Sequence, residues 1–237
     1  MLFKTDRMKF SLTAILLCLA TAVFSQAEFG WGLEVYPNYS HRRLITQTSV
    51  PVQLTRELEE LETGRFSYTA GLFAQWKGQR AGFQTGLRFM DTGYQTIRTP
   101  LSAADTPPPG ATEKRIAYQN RFIEAPAELQ FFHELDNKND FFFMVGLALA
   151  YNLSNSTRTI YYTGDTQSSN TEKADKEDFA DISYSFLTGM GWEHQFSDRF
   201  SLVLQPAFQF WLRALLVEAD INRNLYSVGV RVGVKFR

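Results

Sequence analysis

The sequence predicts an all-β fold: an eight-stranded antiparallel up-and-down transmembrane β-barrel, preceded by a cleaved signal peptide. Three observations predict it. Eight segments alternate apolar and polar residues at every second position, the repeat of a strand with two unlike faces. Most run nine residues or more, closer to the about 9–11 of a tilted membrane strand than to the about 5–6 of a soluble one. The connections alternate short and long, as in barrels with tight turns at one rim and long loops at the other.

The first 25 residues form the expected signal peptide. Lys4, Arg7 and Lys9 precede the short apolar run "SLTAILLCLATAVF", and "SQAE" offers small residues for cleavage after Ser25 or after Ala27. Residues 26–237 are then the barrel domain. Loss of Lys4, Asp6, Arg7 and Lys9 takes the formal charge from −1 to −3, against a nucleic-acid partner, which calls for a basic stripe. Cys18 is the single cysteine and lies in the apolar run after Leu17. The mature chain therefore has no thiol for a disulfide, a zinc site or a nucleophile.

The segments follow in order. "EFGWGLEV" (28–35) sets Phe29, Trp31, Leu33 and Val35 against Gly30, Gly32 and Glu34. "FSYTAGLFAQW" (66–76) and "AGFQTGLRF" (81–89) flank the short link 77–80. "IEAPAELQF" (123–131) and "FFFMVGLALAYNL" (141–153) flank 133–140. "ISYSFLTGMGW" (182–192) and "FSLVLQPAFQF" (200–210) flank 193–199. "YSVGVRVGVKFR" (226–237) closes the chain. The long links are 37–65, 90–121, 154–181 and 211–224. Both termini are expected on the periplasmic side and the long links outside the cell.

Which face meets solvent decides the class. With the apolar set inside, aromatic-rich stripes overfill an eight-stranded lumen, and the outer surface carries too few charges for water. With the apolar set outside, lipid accepts the aromatics. Trp31, Trp76, Trp192, Tyr226 and Phe236 then sit near strand ends, where interfacial girdles belong. This places the chain in the outer membrane, with lipid around it.

The lumen-facing sets carry Glu34, Arg88, Glu124, Glu128, Arg231 and Lys235. Side chains just fill a lumen of eight strands, and unpaired buried charges are costly. These six are expected to form a structural plug, with Arg88 beside Glu124 and Glu34 near Arg231.

Two stretches carry a resemblance. "SVGVRVGVKF" resembles the C-terminal assembly signal of outer-membrane barrels, with Ser227, Gly229, Val232, Val234 and Phe236 in its places and Arg237 as one extra residue. It implies recognition by the barrel-assembly machinery. "RFIEAPAELQFF" (121–132) resembles a strand segment of the PorT-like outer-membrane β-barrel family common in Bacteroidetes. The likeness spans most of the mature chain. It implies an outer-membrane barrel and, for PorT itself, membership in a protein-secretion machine.

Chemistry-bearing motifs are sparse. His41 follows Ser40 at the long-loop end, the place for a rim enzyme acting on lipid A; His133 and His194 fall in the opposite turns. One His beside a Ser has little specificity. Asp136, Asn139 and Asp140 lack the twelve-residue calcium frame and suit an Asx-rich turn. Glu172, Asp175, Glu177, Asp178 and Asp181 read as a solvated loop, "TPPPG" (106–110) as a stiff spacer, and "LTRELEELE" (54–62) as a short helix with Leu54, Leu58 and Leu61 on one face.

The expected protein is thus a non-enzymatic outer-membrane barrel without cofactor or metal, whose long loops bind a partner or shield the surface. The alternatives are an accessory subunit of a secretion or envelope complex, and the lipid A rim enzyme.

Overall fold

The computed structural model describes residues 27–47 and 50–237; the expected signal peptide, 1–25, lies outside them. Eight long strands form the body: β1 (Glu28–Thr46), β2 (Arg65–Lys77), β3 (Ala81–Thr96), β4 (Glu113–Asp136), β5 (Asn139–Thr163), β6 (Ile182–Ser197), β7 (Phe200–Trp211) and β8 (Ile221–Phe236). Each pairs antiparallel with its neighbour in the chain, and β1 pairs with β8 to close the ring.

The stagger of the ring follows from its register. From Glu28 the partners run through Lys77, Gly82, Gln130, Met144, Gly189, Ala207 and Gly229, and return to β1 at Asn38, ten residues further on. Ten residues of stagger over eight strands correspond to a tilt of about 40°.

Burial is inverted relative to a soluble protein. Glu124 and Glu128 are 0% exposed, whereas Leu149 and Leu147 on the next strand are 61% and 59% exposed. The outward faces carry Leu33, Val35, Leu72, Leu87, Val145, Val228 and Val230. Aromatic rings gather at both edges of this band. At the rim holding the short turns, Phe29 meets Trp76 and Trp31 meets Phe236. At the other, Tyr39 meets Phe66 and Phe208 meets Tyr226. Trp31 and Tyr39 are eight residues apart on β1, which at this tilt is about 20 Å of height. That approaches the about 25 Å apolar band of a membrane barrel.

The strands run further than the apolar alternation suggests. Links 90–121 and 154–181, expected as loops, are largely strand, and link 37–65 is part strand and part helix: β1 reaches Thr46, β3 reaches Thr96, β4 starts at Glu113 and β5 continues to Thr163. Beyond the band the outward face is largely polar, with His41, Arg43, Asp91, Gln95 and Arg121 on it, so pairing persists where the apolar alternation stops. Segment 154–181 folds back as a further strand, Thr166–Lys173, against β5. The turns at the opposite rim tighten for the same reason: β4 ends at Asp136 and β5 begins at Asn139. Helix α1 (Val52–Leu61) lies in the first long link, with Leu58 and Leu61 half-buried and Leu54 exposed. Its chain then continues into a two-residue strand, Glu62–Thr63, on β3.

Candidate functional site: a plugged lumen with a capped mouth

The lumen is filled in tiers. At the turn rim, Phe142 packs on Phe132 with ring centres 5.3 Å apart. It covers Gly191, its register partner on β6, where a Cβ would lie 2.2 Å from the Phe142 ring. Phe73 lies over Gly32 in the same way. The glycines make room for rings that close the barrel from inside. Around them Lys77 Nζ reaches Asp140 at 2.6 Å and Glu193 at 3.1 Å, while Lys235 and Arg237 also pair with Glu193.

A tier of amides follows. Gln75 Nε2 donates to Gln130 Oε1 at 2.6 Å, and Gln130 Nε2 donates to Gln84 Oε1 at 3.0 Å. Lys235 Nζ donates to Gln75 Oε1, linking the two tiers.

The central tier holds five of the six charges singled out in the sequence. Arg88 pairs with Glu34, with Glu128 at 2.8 Å and with Glu124 at 3.4 Å. Arg231 pairs with Glu128 at 2.9 Å and stands 3.8 Å from Glu34. Arg88 and Glu124 are register partners on β3 and β4. The sixth charge, Lys235, belongs to the Glu193 tier below. Gln209 donates to Glu124 and, at 2.8 Å, to Ser185 Oγ. The space left among Glu34, Tyr36, Arg88, Glu124 and Arg231 is about 10 Å³, one water at most.

Above the charges the lumen turns apolar again, with Met90, Phe122, Ala150, Trp211, Leu215 and Leu225 packed together. The long links fold inward over this layer. Ala180 N–H donates to Leu215 C=O at 3.1 Å, and Val217 N–H donates to Asp178 C=O at 3.0 Å. Beside this lid, Glu62 accepts from Arg42 Nε at 2.6 Å and from Arg223 Nη2 at 2.6 Å.

A family model described as "Outer membrane protein beta-barrel domain" matches residues 24–228. The chain belongs to this family of outer-membrane β-barrels. No curated protein matches it. Similar solved structures include Neisserial surface protein A, 10% identical over 86% of this chain and 96% of that one, with a TM-score of 0.39. Ail of Yersinia pestis is 10% identical over 88% and 99%, with a TM-score of 0.33. OprG from Pseudomonas aeruginosa is 9% identical over 88% and 93%, with a TM-score of 0.41. At these identities and scores none bears on what this chain binds.

In this outer-membrane barrel the remaining sequence candidates separate. Ser40 and His41 are adjacent on β1 and therefore face opposite ways. Ser40 Oγ lies in the lumen, 2.6 Å from Ser67 Oγ and 2.7 Å from the Gly93 carbonyl, while the His41 ring sits outside against Tyr226. His194 meets the Asn139 side chain at 2.8 Å. The Asp136 carboxylate accepts from Lys138 N–H and Asn139 Nδ2, each at 2.8 Å, and these donors hold it below the usual carboxylate range. That is an Asx turn. No cluster of three metal-ligating side chains occurs among the described residues. In the C-terminal stretch, Ser227 is buried in the lumen, Val232 and Val234 are half-buried on the outward set, and Phe236 packs at a tilt against Trp31.

Sequence reading missed Glu193, Lys77 and the Arg42–Glu62–Arg223 group. Glu193 follows the last apolar residue of its segment and reads as the start of a turn. Glu62 lies 161 residues from Arg223, and no local pattern joins them.

Proposed function

We propose that this protein is a closed, non-conducting and non-enzymatic outer-membrane barrel that works through the rim bearing its long connections, on the cell exterior, as a binding or structural surface. The plugged lumen carries this reading. Aromatic rings, amide chains and charged pairs occupy it from the turn rim up to the apolar layer below the mouth, and about 10 Å³ remains at the central charges. The six lumen charges then serve as structure, each paired with an opposite charge because a lone buried charge is costly. Planar-bilayer recording of purified, refolded protein tests this. No steady conductance is expected, and stable open-channel steps would overturn it.

A second reading is an accessory role in a secretion or envelope assembly of the PorT-like kind. One observation favours it: strand Thr166–Lys173 is fully exposed and pairs on one side only, with β5. Such an edge can accept a strand from a partner. Co-purification from gently solubilised outer membrane tests it: a stoichiometric partner lost on Ser169→Pro supports the assembly role, and isolation of the barrel alone refutes it.

A further inference from the structure

The capped mouth encloses a pocket of about 200 Å³ between the Tyr94–Tyr118 pair and the inward-folded links. That is about seven liquid-water volumes, room for one ring with its substituents. The two tyrosine rings stack at 4.6 Å and 24°, so one wall is flat and aromatic. Phe179, Leu215 and Leu216 add apolar lining.

Besides the tyrosines, four polar residues interrupt this lining, Asn120, Ser156, Thr157 and Arg223, and Asn120 and Arg223 have bonding capacity to spare. Asn120 is 2% exposed. Its Nδ2 donates to Asn155 Oδ1 at 2.7 Å, and Asn155 Oδ1 also accepts from Asn152. This fixes which way the Asn120 amide points and leaves its Oδ1 without a partner. A buried acceptor in that state calls for a donor. Arg223 is the single charged residue of the lining. Its Nε and Nη2 donate to Glu62 and its Nη1 to the Ile221 carbonyl, leaving two of its five N–H groups. Glu62 is shared with Arg42, so two guanidinium groups face one carboxylate and a positive charge is in surplus.

We propose that this pocket binds a small monoanionic carboxylate with a planar apolar body and a hydroxyl donor. The carboxylate meets the free N–H groups of Arg223, the hydroxyl donates to Asn120 Oδ1, and the ring lies between the Tyr94–Tyr118 pair and Leu216. A neutral hydrocarbon leaves Asn120 unpaired, and a dianion exceeds the single surplus charge. This specifies the binding role proposed above; binding is read on purified protein, so its failure is distinct from the conductance result that tests that role.

Isothermal titration of the refolded, detergent-solubilised barrel with 4-hydroxybenzoate tests the pocket. Saturable one-to-one binding is expected. Benzoate, lacking the donor, and methyl 4-hydroxybenzoate, lacking the charge, are expected to bind at least about tenfold more weakly, the worth of one such hydrogen bond. Leu216→Trp, which fills the pocket from a half-exposed link outside the barrel wall, is expected to abolish binding and keep the folded, heat-modifiable gel mobility. Absence of saturable binding, equal binding of the three compounds, or full binding by folded Leu216→Trp overturns the proposal.

Discussion

Arg88 and Glu128 meet at 2.8 Å in the middle of the barrel, with side-chain exposures of 2% and 0%. Glu34 and Glu124 complete the same guanidinium's surroundings, and Arg231 takes the other side of Glu128. Two arginines thus face three carboxylates, and the members are unequal. Loss of Arg88 leaves three acids on one base. Loss of Glu128 leaves two acids on two bases. We expect Arg88→Met to cost about 3–5 kcal/mol, the range for breaking a buried pair, and Glu128→Gln distinctly less. Urea unfolding in liposomes measures both. Equal costs would contradict the shared network.

Gly191 and Phe142 predict a rescue. A Cβ at 191 meets three Phe142 ring atoms between 2.2 and 2.7 Å and no backbone atom within the nearest three. Gly191→Ala is expected to destabilise by about 1–3 kcal/mol through overpacking. Phe142→Leu in the same chain is expected to recover part of that loss, because the smaller side chain vacates the contact. Strictly additive losses in the unfolding midpoint would show that the ring does not need the glycine.

The proposed orientation predicts a protease pattern. Strand Thr166–Lys173 is exposed along its whole length, and Lys176 follows in the next turn. Trypsin added to intact cells is expected to cut after Lys173, at the end of this exposed edge strand, or after Lys176. Lys77, held by Asp140 and Glu193, and Arg80 and Arg199 in the opposite turns are expected to survive. Peptides ending at Lys77 or Arg199, with 173–176 uncut, would reverse the topology.

Asp105 predicts a local pH response. Lys114 and the Ser102 backbone and side chain donate to its carboxylate and lower its pKa to about 2. A depressed folded pKa means the turn's contribution is complete above the unfolded value and fades as pH falls through the folded one. The Ser102–Asp105–Lys114 contacts are therefore expected to persist at pH 4 and fade toward pH 2. A carboxyl-carbon NMR titration of Asp105 midway near 3.8 would remove the bonds from the solution structure.

The sequence disclosed the barrel because each strand crosses two unlike environments, which writes a period of two into "SVGVRVGVKF" and its counterparts. It disclosed Arg88 and Glu128 because charges stand out among small residues of one alternating set. It hid the outer halves of the strands, since Asn38, Ser40 and Arg42 on β1 continue the pairing with no apolar contrast. It also hid the mouth, where Tyr94, Asn120, Phe179, Leu215 and Arg223 come together from distant segments. Folding of the links over the rim sets that geometry, and no local periodicity records it.

The central claim is that the alternating set on β8 is turned inside out, with valines to lipid and charges to the lumen. Cys18 is the single cysteine of the chain, so residues 26–237 accept single spin labels on a thiol-free background. The direct measurement is collision accessibility in liposomes at Ser227, Val228, Val230, Arg231, Val232 and Val234, each replaced singly by Cys. Oxygen contact is expected to be high at the four valine positions, and the labels at 227 and 231 are expected to be shielded from both oxygen and a water-soluble nickel complex. High nickel accessibility at the valines, or no alternation along the strand, would contradict the account.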